Sequence, residues 1–220
     1  MKVGLISDIH ANLPALEAVL EDMPAVDRLV CAGDVVGYNP WPAECVELVR
    51  EQCDIVVAGN HDRTVEYPVH YEANPMARAG LEFAKRELTD DQLEWLTDLS
   101  RRETVGEDFL LVHDHPTIQD RYVYPAEFSN LRRYLDYYDG VVLGHTHIQH
   151  TATIDDRLLI NPGSVGQPRD GDKRAAYAVL NVSEPSVDLR RVEYEIDRVI
   201  TAVEEVELPI KTATRLLSGE

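Results

Sequence analysis

The chain has 220 residues, 44% of them hydrophobic and 28% charged, an ordinary composition for a globular protein. A chain of this length can bury one substantial core, so we expect a single domain over residues 1–220. Forty acidic residues against 21 basic ones give a formal net charge of −19. Such a surface repels nucleic acid and anionic membranes, so an extended nucleic-acid-binding face and a membrane partner are disfavoured.

The acidic excess has two interpretations. It is either a solvated surface that keeps the protein soluble, or an adaptation to a high-salt cytosol in which self-repulsion is screened. Only four of the basic residues are lysines, and this scarcity favours the second, halophilic interpretation.

The N-terminus and the cysteines bear on where the protein works. The sequence MKVGLIS has one basic residue and an apolar run too short for a signal peptide. No apolar segment approaches the roughly 18 residues that a membrane span needs. The three cysteines, at positions 31, 45 and 53, lack zinc spacing and suit a reducing compartment. We expect a soluble cytoplasmic protein, and the sequence is compatible with a homo-oligomer.

In chain order, six short aliphatic runs have the length of buried strands, and each precedes polar residues or glycine. They are Val3–Ile6, Leu29–Ala32, Ile55–Ala58, Phe109–Val112, Val141–Leu143 and Leu158–Ile160. Helical patterns lie between several of them, after Asn12 as a helix N-cap, over residues 39–52, and after a capping box of Thr89 and Gln92. This order predicts a parallel α/β sheet. After Asn161, two strand-like segments joined by the turn SEP predict an antiparallel return, followed by helix.

Aspartate, histidine and asparagine residues follow five of these runs, where each strand ends. The crevice beyond the carboxyl ends of parallel strands is where α/β sheets bind ligands. The residues are Asp8, His10, Asp34, Asn60, His61, Asp62, His113, His145 and His147. The pattern therefore predicts that five strands deliver these side chains to one site.

The residue types at these strand ends indicate a metal site. Residues two apart on an extended chain face the same side, so Asp8 and His10 can present two ligands together, as can His145 and His147. Mixed imidazole, carboxylate and amide ligands suit Mn, Fe, Co, Ni or Zn better than calcium. One carboxylate can bridge two ions, and Asp34 is our candidate bridge. Each motif alone also occurs on ordinary loops. The Asp and His side chains of five such motifs, however, would lie close together and be poorly paired without a metal.

Four of these segments read DIH, GDVVG, GNHD and GHTH, with His113 between the last two. In order and type they resemble the motifs of the calcineurin-like metallophosphoesterase superfamily, in particular its small prokaryotic phosphodiesterase branch. The resemblance runs from Val3 to about Arg191 and includes the segment NPGSVGQPRDGD. It implies an α/β sandwich with two central mixed β-sheets flanked by helices, and a hydrolase with two divalent metal ions, manganese first and Fe, Co, Ni or Zn as alternatives.

The resemblance also implies a role for each site residue. One ion would bind Asp8, His10, Asp34 and His147, and the other would bind Asp34, Asn60, His113 and His145. His61 would protonate the leaving oxygen, or place a positive charge on the transition state, with Asp62 orienting it. A metal-bound hydroxide would attack phosphorus directly, so no covalent phospho-enzyme is needed.

Several neighbouring residues leave alternatives open. Asp114 replaces a glycine common after the fifth ligand, and could tune the site or repel an anionic substrate. His115 competes with His113 for the ligand role, and we prefer His113 because it directly follows the apolar run. Ala11 is a second departure from the family pattern, because the first motif is often followed by glycine and this chain has alanine there. His70 and His150 need no function.

Three further residues, Asn12, Arg63 and Arg169, are candidate phosphate contacts, although a surface ion pair explains each arginine equally well. Ser164 lacks the Gly-X-Ser-X-Gly elbow of a nucleophile, so its segment is interpreted as a turn that lines the pocket.

The sequence thus favours a metal-dependent phosphoesterase acting on a small phosphodiester or nucleotide. Alternatives are a dinucleoside polyphosphate hydrolase, a phosphomonoesterase, and a non-catalytic metal-binding scaffold on the same fold. The intact ligand set together with His61 favours an enzyme, because a scaffold has no need for an acid. A nuclease is disfavoured by the acidic charge.

Overall fold

Two mixed β-sheets of five strands each form the centre of the protein, as the resemblance implied. The computed structural model describes residues 1–106 and 108–220. The first sheet has the order β10-β9-β1-β2-β3, and the second has the order β4-β5-β6-β8-β7. The strands of the first sheet are β1 (Lys2–Ile6), β2 (Arg28–Cys31), β3 (Ile55–Val56), β9 (Ala175–Asn181) and β10 (Ser186–Val192). Those of the second are β4 (Arg102–Val105), β5 (Phe109–Val112), β6 (Gly140–Val142), β7 (His150–Ile154) and β8 (Arg157–Asn161).

The predicted parallel and antiparallel parts are both present. Strands β1, β2 and β3 pair in parallel, with Leu5 opposite Val30. Strand β9 lies antiparallel to both β1 and β10, which confirms the predicted return. In the second sheet, β5, β6 and β8 are parallel, whereas the edge strands β4 and β7 are antiparallel to their neighbours.

The helices lie outside the sheets. They are α1 (Leu13–Asp22), α2 (Pro42–Gln52), α3 (Asn60–Thr64), α4 (Pro75–Glu87), α5 (Asp90–Asp98), α6 (Ile196–Glu205) and α7 (Lys211–Thr214). Short 3-10 helices cover Pro68–Tyr71, Pro125–Tyr134 and Arg215–Leu217. Both predicted caps are present, since the Asn12 side chain accepts from the Ala15 N–H, and Thr89 and Gln92 form the capping box of α5. No helix in the described ranges is long and apolar enough to cross a bilayer.

Apolar side chains fill the space between the sheets and the space outside each sheet. Between the sheets, Leu5 and Val30 of the first pack with Phe109, Leu111 and Ile160 of the second. One outer cluster joins the first sheet to the inner faces of helices α1, α2, α4 and α5, and another joins the second sheet to the 3-10 helix Pro125–Tyr134. This stacking brings the carboxyl ends of β1, β2, β3, β5 and β6 to one edge of the sandwich.

Candidate metal centre

The side chains predicted at the strand ends meet at this edge. Asp8 and His10 follow β1, Asp34 follows β2, and Asn60 begins α3 directly after β3. The residues after β5 and β6 approach them from the second sheet. Potential metal-ligand atoms lie within 4.8 Å of one another in three groups, namely Asp8, His10 and His147; His10, Asp34 and His61; and Asp34, His113 and His145. All of these side chains are buried.

Asp34 lies between the two halves of the cluster. Its Oδ2 atom is 3.7 Å from His10 Nε2 on one side and 3.4 Å from His113 Nε2 on the other. The other carboxylate oxygen, Oδ1, accepts a hydrogen bond from the His61 N–H at 2.8 Å. This is the position that a bridging carboxylate needs, with one oxygen facing ligands from both sheets.

The Asp8 carboxylate has one satisfied and one unsatisfied oxygen. Oδ2 accepts from Ser7 Oγ at 2.7 Å and from the His145 N–H at 3.0 Å. Oδ1 has no hydrogen-bond partner among the described residues and lies 3.2 Å from His147 Nε2. A buried carboxylate oxygen without a partner is costly, and a cation beside it removes that cost.

Three imidazoles are held by backbone carbonyls on their outer side. Their Nδ1 atoms contact carbonyl oxygens, His10 that of Val36 at 3.2 Å, His113 that of Ala32 at 2.7 Å, and His147 that of Gln167 at 2.6 Å. When Nδ1 donates, Nε2 is left with a lone pair facing the centre, which is the arrangement of metal-binding histidines. His10 Nε2 and His147 Nε2 are only 3.1 Å apart, so a cation between them relieves the repulsion of two lone pairs.

The electrostatics of the cluster favour a cation. Burial opposes ionisation of Asp8, but His147 and His113 hold its pKa well below the usual range. The pKa of Asp34 is likewise lowered, by His113 and His61 against burial. Burial also opposes protonation of His113, yet Asp34 and Asp8 raise its pKa to about 10. Both carboxylates are therefore ionised at neutral pH, and they attract a positive charge that a divalent ion can supply in place of the proton on His113 Nε2.

The backbone is strained where it delivers these ligands. Five of the seven predicted ligands have left-handed φ angles, namely Asp8 (53°), His10 (50°), Asp34 (56°), His145 (68°) and His147 (58°). Only a few per cent of non-glycine residues adopt this conformation, and such strain concentrates at functional sites. The sharp turns let residues that follow a strand point back toward the centre.

His61 lies beside the ligands in a closely fitted pocket. Its ring centroid is 4.8 Å from that of His10 and 5.0 Å from that of Tyr38. A Cβ atom at Gly37 would lie 2.3 Å from His61 Nδ1, so the imidazole occupies the space of the missing side chain. Burial, opposed by Asp34, lowers the pKa of His61 to about 4. Nδ1 has no hydrogen-bond partner within residues 1–106 and 108–220.

Asp62 does not orient the His61 imidazole as expected. Its carboxylate instead accepts four backbone N–H groups, those of Asp34 (2.8 Å), Val35 (2.9 Å), Val36 (3.2 Å) and Gly59 (3.0 Å). Asp62 therefore holds the turn that carries Asp34, and its link to His61 is through the backbone. Because the partners of Asp62 are backbone amides, which do not depend on residue type, a sequence motif cannot predict that Asp62 holds this turn.

Replacing Asp62 by Asn should destabilise the protein by about 2–4 kcal/mol, measured by urea unfolding. Each oxygen of Asp62 accepts two N–H groups, so an amide NH₂ in either orientation leaves two buried donors without an acceptor. The exposed Asp136 provides a matched control, and Asp136→Asn should change the free energy of unfolding by less than about 0.5 kcal/mol. Equal stability of the two variants would contradict the role assigned to Asp62.

Two of the three candidate phosphate contacts are engaged elsewhere. Asn12 Nδ2 donates to the Gly166 carbonyl at 2.8 Å while its oxygen caps α1, so Asn12 is a structural residue. Arg63 pairs with Asp114 at 3.0 Å and with Asp120 at 2.7 Å, which is the ion-pair alternative. The Asp114 carboxylate, one of the two departures from the family pattern, is neutralised by the same contact.

Arg169, the third candidate, keeps an uncompensated charge at the site. Its Nη2 atom donates to Gln167 Oε1 at 2.6 Å and lies 3.4 Å from the Tyr38 hydroxyl. In the described part of the chain, the hydrogen-bond partners of the Arg169 guanidinium are Gln167 and the Tyr38 hydroxyl, and neither is a carboxylate. The charge of Arg169 also acts to lower the pKa of His147, alongside the larger effect of burial. A fixed arginine held by a neutral amide suits an anion such as a phosphate.

The remaining histidines and Ser164 lie outside the cluster. His115 Nδ1 accepts the N–H groups of Thr117 and Ile118, both at 3.2 Å, so His113 and not His115 enters the cluster. His150 lies in β7 against Phe128. Ser164 Oγ donates to the Asp8 carbonyl at 2.6 Å, which fits the interpretation of its segment as a turn that lines the site.

Sequence reasoning missed several aromatic residues around the centre. The Tyr71 hydroxyl accepts a hydrogen bond from Asn60 Nδ2, which leaves Asn60 Oδ1 facing His113 Nε2 at 3.0 Å. Tyr122 stacks on His145 with ring centroids 3.9 Å apart. Both tyrosines come from segments without regular spacing, so no pattern in the sequence marks them.

Comparison with known proteins agrees with this geometry. A metallophosphoesterase from Sphaerobacter thermophilus of known crystal structure is 36% identical, with a TM-score of 0.86 over 100% of this chain and 99% of that one. An uncharacterized protein of Methanocaldococcus jannaschii is 33% identical over 99% of this chain and 98% of its own length. The Escherichia coli phosphodiesterase YfcE is 29% identical over 82% of this chain and 88% of its length. The model of the calcineurin-like phosphoesterase superfamily domain matches residues 1–185. The chain therefore belongs to the calcineurin-like phosphoesterase superfamily.

Proposed function

We propose that this protein hydrolyses a small phosphodiester or nucleotide at a site that holds two divalent metal ions. The observation that carries the proposal is the position of Asp34, whose Oδ2 atom faces His10 on one side and His113 on the other at under 4 Å. A phosphoester resists attack because its oxygens are anionic, and a dinuclear site is built to neutralise them.

Each half of the cluster supplies one set of ligands. Asp8, His10, Asp34 and His147 would hold one ion, and Asp34, Asn60, His113 and His145 would hold the other. His145 Nε2 contacts the Asp120 carbonyl oxygen at 3.3 Å, so its Nδ1 is the nitrogen left for coordination. When bound, the two ions would neutralise phosphoryl oxygens and lower the pKa of a water molecule that attacks phosphorus.

The protein's own residues would position and protonate the substrate. Arg169 has a fixed positive charge for a non-bridging phosphate oxygen, and Gln167 keeps its guanidinium in place. His61 lies against the cluster, and its imidazole would donate a proton to the leaving oxygen once an anionic substrate offsets the burial that lowers its pKa to about 4. Asp62 and the space at Gly37 fix where Asp34 and His61 lie, so the geometry is set before the substrate arrives.

Metal removal should abolish turnover, and manganese or cobalt should restore it. Protein stripped with a chelator and dialysed is assayed with bis(p-nitrophenyl) phosphate at several salt concentrations, with each divalent ion added back separately. Manganese is expected first because the resemblance implies it, and Fe, Co, Ni and Zn are alternatives because mixed imidazole, carboxylate and amide donors suit all of these ions. No turnover with any of these ions would exclude the enzyme and leave the metal-binding scaffold.

The class of phosphoester is decided by a substrate panel. The reconstituted protein is compared on phosphomonoesters, phosphodiesters, cyclic nucleotides and dinucleoside polyphosphates at equal metal loading. A preference for diesters supports the leading proposal. A preference for monoesters, or for the polyphosphate bridge, replaces it with a phosphomonoesterase or a dinucleoside polyphosphate hydrolase.

A further inference from the structure

We infer that Tyr122 and Tyr124 form a stacking platform for a flat aromatic ring of the substrate, which makes a nucleobase the expected organic group. The inference rests on the proposed function and narrows its substrate class to nucleotides. It concerns the segment between β5 and the 3-10 helix Pro125–Tyr134, which borders the metal centre on the side of the second sheet.

The platform begins at a candidate metal ligand. The Tyr122 ring lies parallel to the His145 imidazole, at 3.9 Å between centroids and an interplanar angle of 13°. Tyr124 continues the series at 5.8 Å from Tyr122 and 16°. The outer ring is thus two ring contacts away from His145, and in the proposed pose the sugar spans these contacts between a phosphate at the metals and a base on Tyr124.

Both tyrosines expose ring surface that the described parts of the chain do not cover. Tyr122 is 40% exposed and Tyr124 is 46% exposed, and among residues 1–106 and 108–220 the ring that stacks on Tyr124 is that of Tyr122. Tyr124 has one ring face toward Tyr122, which leaves its other face as the surface on which a nucleobase can stack. Ile118, which is 45% exposed in the same segment, adds apolar surface.

The platform and the phosphate contact flank the same turn. Tyr122 stacks on His145, and the Arg169 N–H donates to the His147 carbonyl at 3.1 Å. The charge of Arg169 also acts on the Tyr122 hydroxyl, against the burial that raises its pKa. Arg169 and the metals would bind the anionic end of a nucleotide while the platform binds its base. The net charge of −19 disfavours a long polynucleotide on the same surface, so the ligand is a small nucleotide.

The test compares two ligands that differ only by the base. The phosphonate analogues of adenosine 5′-monophosphate and ribose 5-phosphate, in which a methylene group replaces the bridging oxygen, cannot be hydrolysed. Their dissociation constants are measured by calorimetry on the manganese-loaded full-length protein. The adenosine compound should bind roughly 5- to 100-fold more tightly, as expected for one base on an aromatic side chain.

Variants of Tyr124 then locate the effect. Tyr124→Ala should reduce the ratio of the two dissociation constants at least about fivefold, whereas Tyr124→Phe, which keeps the ring, should preserve it. Tyr137, which is 82% exposed, provides the matched control, and Tyr137→Ala should keep the wild-type ratio. A ratio near one in the wild type, or an unchanged ratio in Tyr124→Ala, would overturn the inference. Binding is measured without turnover, so this failure is separate from a failure of the phosphoesterase proposal.

Discussion

Replacing Asp34 by Asn should reduce phosphodiester hydrolysis at least about 10³-fold and lower the metal content from two ions per chain to one or none. Asn keeps the oxygen that accepts the His61 N–H, but it removes the negative charge and places an NH₂ group opposite His10 and His113. The charge stabilisation that a bound ion supplies is worth several kcal/mol, and about 1.4 kcal/mol corresponds to a tenfold change in rate.

Elemental analysis of the purified variant, alongside steady-state kinetics, checks both parts of this prediction. The exposed Asp98 on α5 provides the control, and Asp98→Asn should retain both metal and activity. An Asp34→Asn protein that still holds two ions and turns over within tenfold of the wild type would exclude a bridging role for Asp34.

His61→Gln should retain metal and lose about 10²–10⁴-fold in kcat, the usual contribution of a positioned acid. The imidazole is buried beside the cluster, and its backbone N–H, which Gln also has, is the group that bonds to Asp34. The substitution therefore removes the acid while the contact with the bridging carboxylate remains.

Substrates with different leaving groups show whether His61 acts as an acid or has a merely structural role. A substrate with an alkyl leaving group should show the full loss, whereas p-nitrophenolate leaves without a proton and should show a smaller one. His70 is exposed, and His70→Gln provides the matched control with wild-type kinetics for both substrates. Equal losses for both leaving groups would remove proton donation from the role of His61.

Most strands of the two sheets could be predicted from the local sequence pattern. The strands with continuous aliphatic runs, such as β1 and β5, are buried on both faces, so their burial appears directly in the sequence. Strands β4 and β7 were missed, because three of the four β4 residues are exposed and β7 has no fully buried residue. Edge strands such as these are defined by pairing with a neighbour, and a local pattern does not show that partner.

Among the side chains around the cluster, too, some roles could be predicted from the sequence and others could not. His113 could be preferred over His115 from the sequence, because it directly follows an apolar run. The role of Asp62 and the second contact of Asn12, beyond its predicted helix cap, could not be predicted, because their partners are backbone groups of the Asp34 turn and of Gly166. The contact between Asn12 and Gly166 joins residues 154 positions apart in the chain, and no spacing rule reaches that far.

The sequence by itself determined the fold class and which Asp, His and Asn residues come together, because a strand that ends in a ligand brings that ligand to the carboxyl edge of its sheet. Only the tertiary structure decided what surrounds them. It assigned Asp62 to the Asp34 turn and Arg63 to an ion pair, it left the charge of Arg169 uncompensated, and it placed Tyr122 on His145. The physical reason is that these contacts join separate loops, whose relative positions are set by the packing of the two sheets.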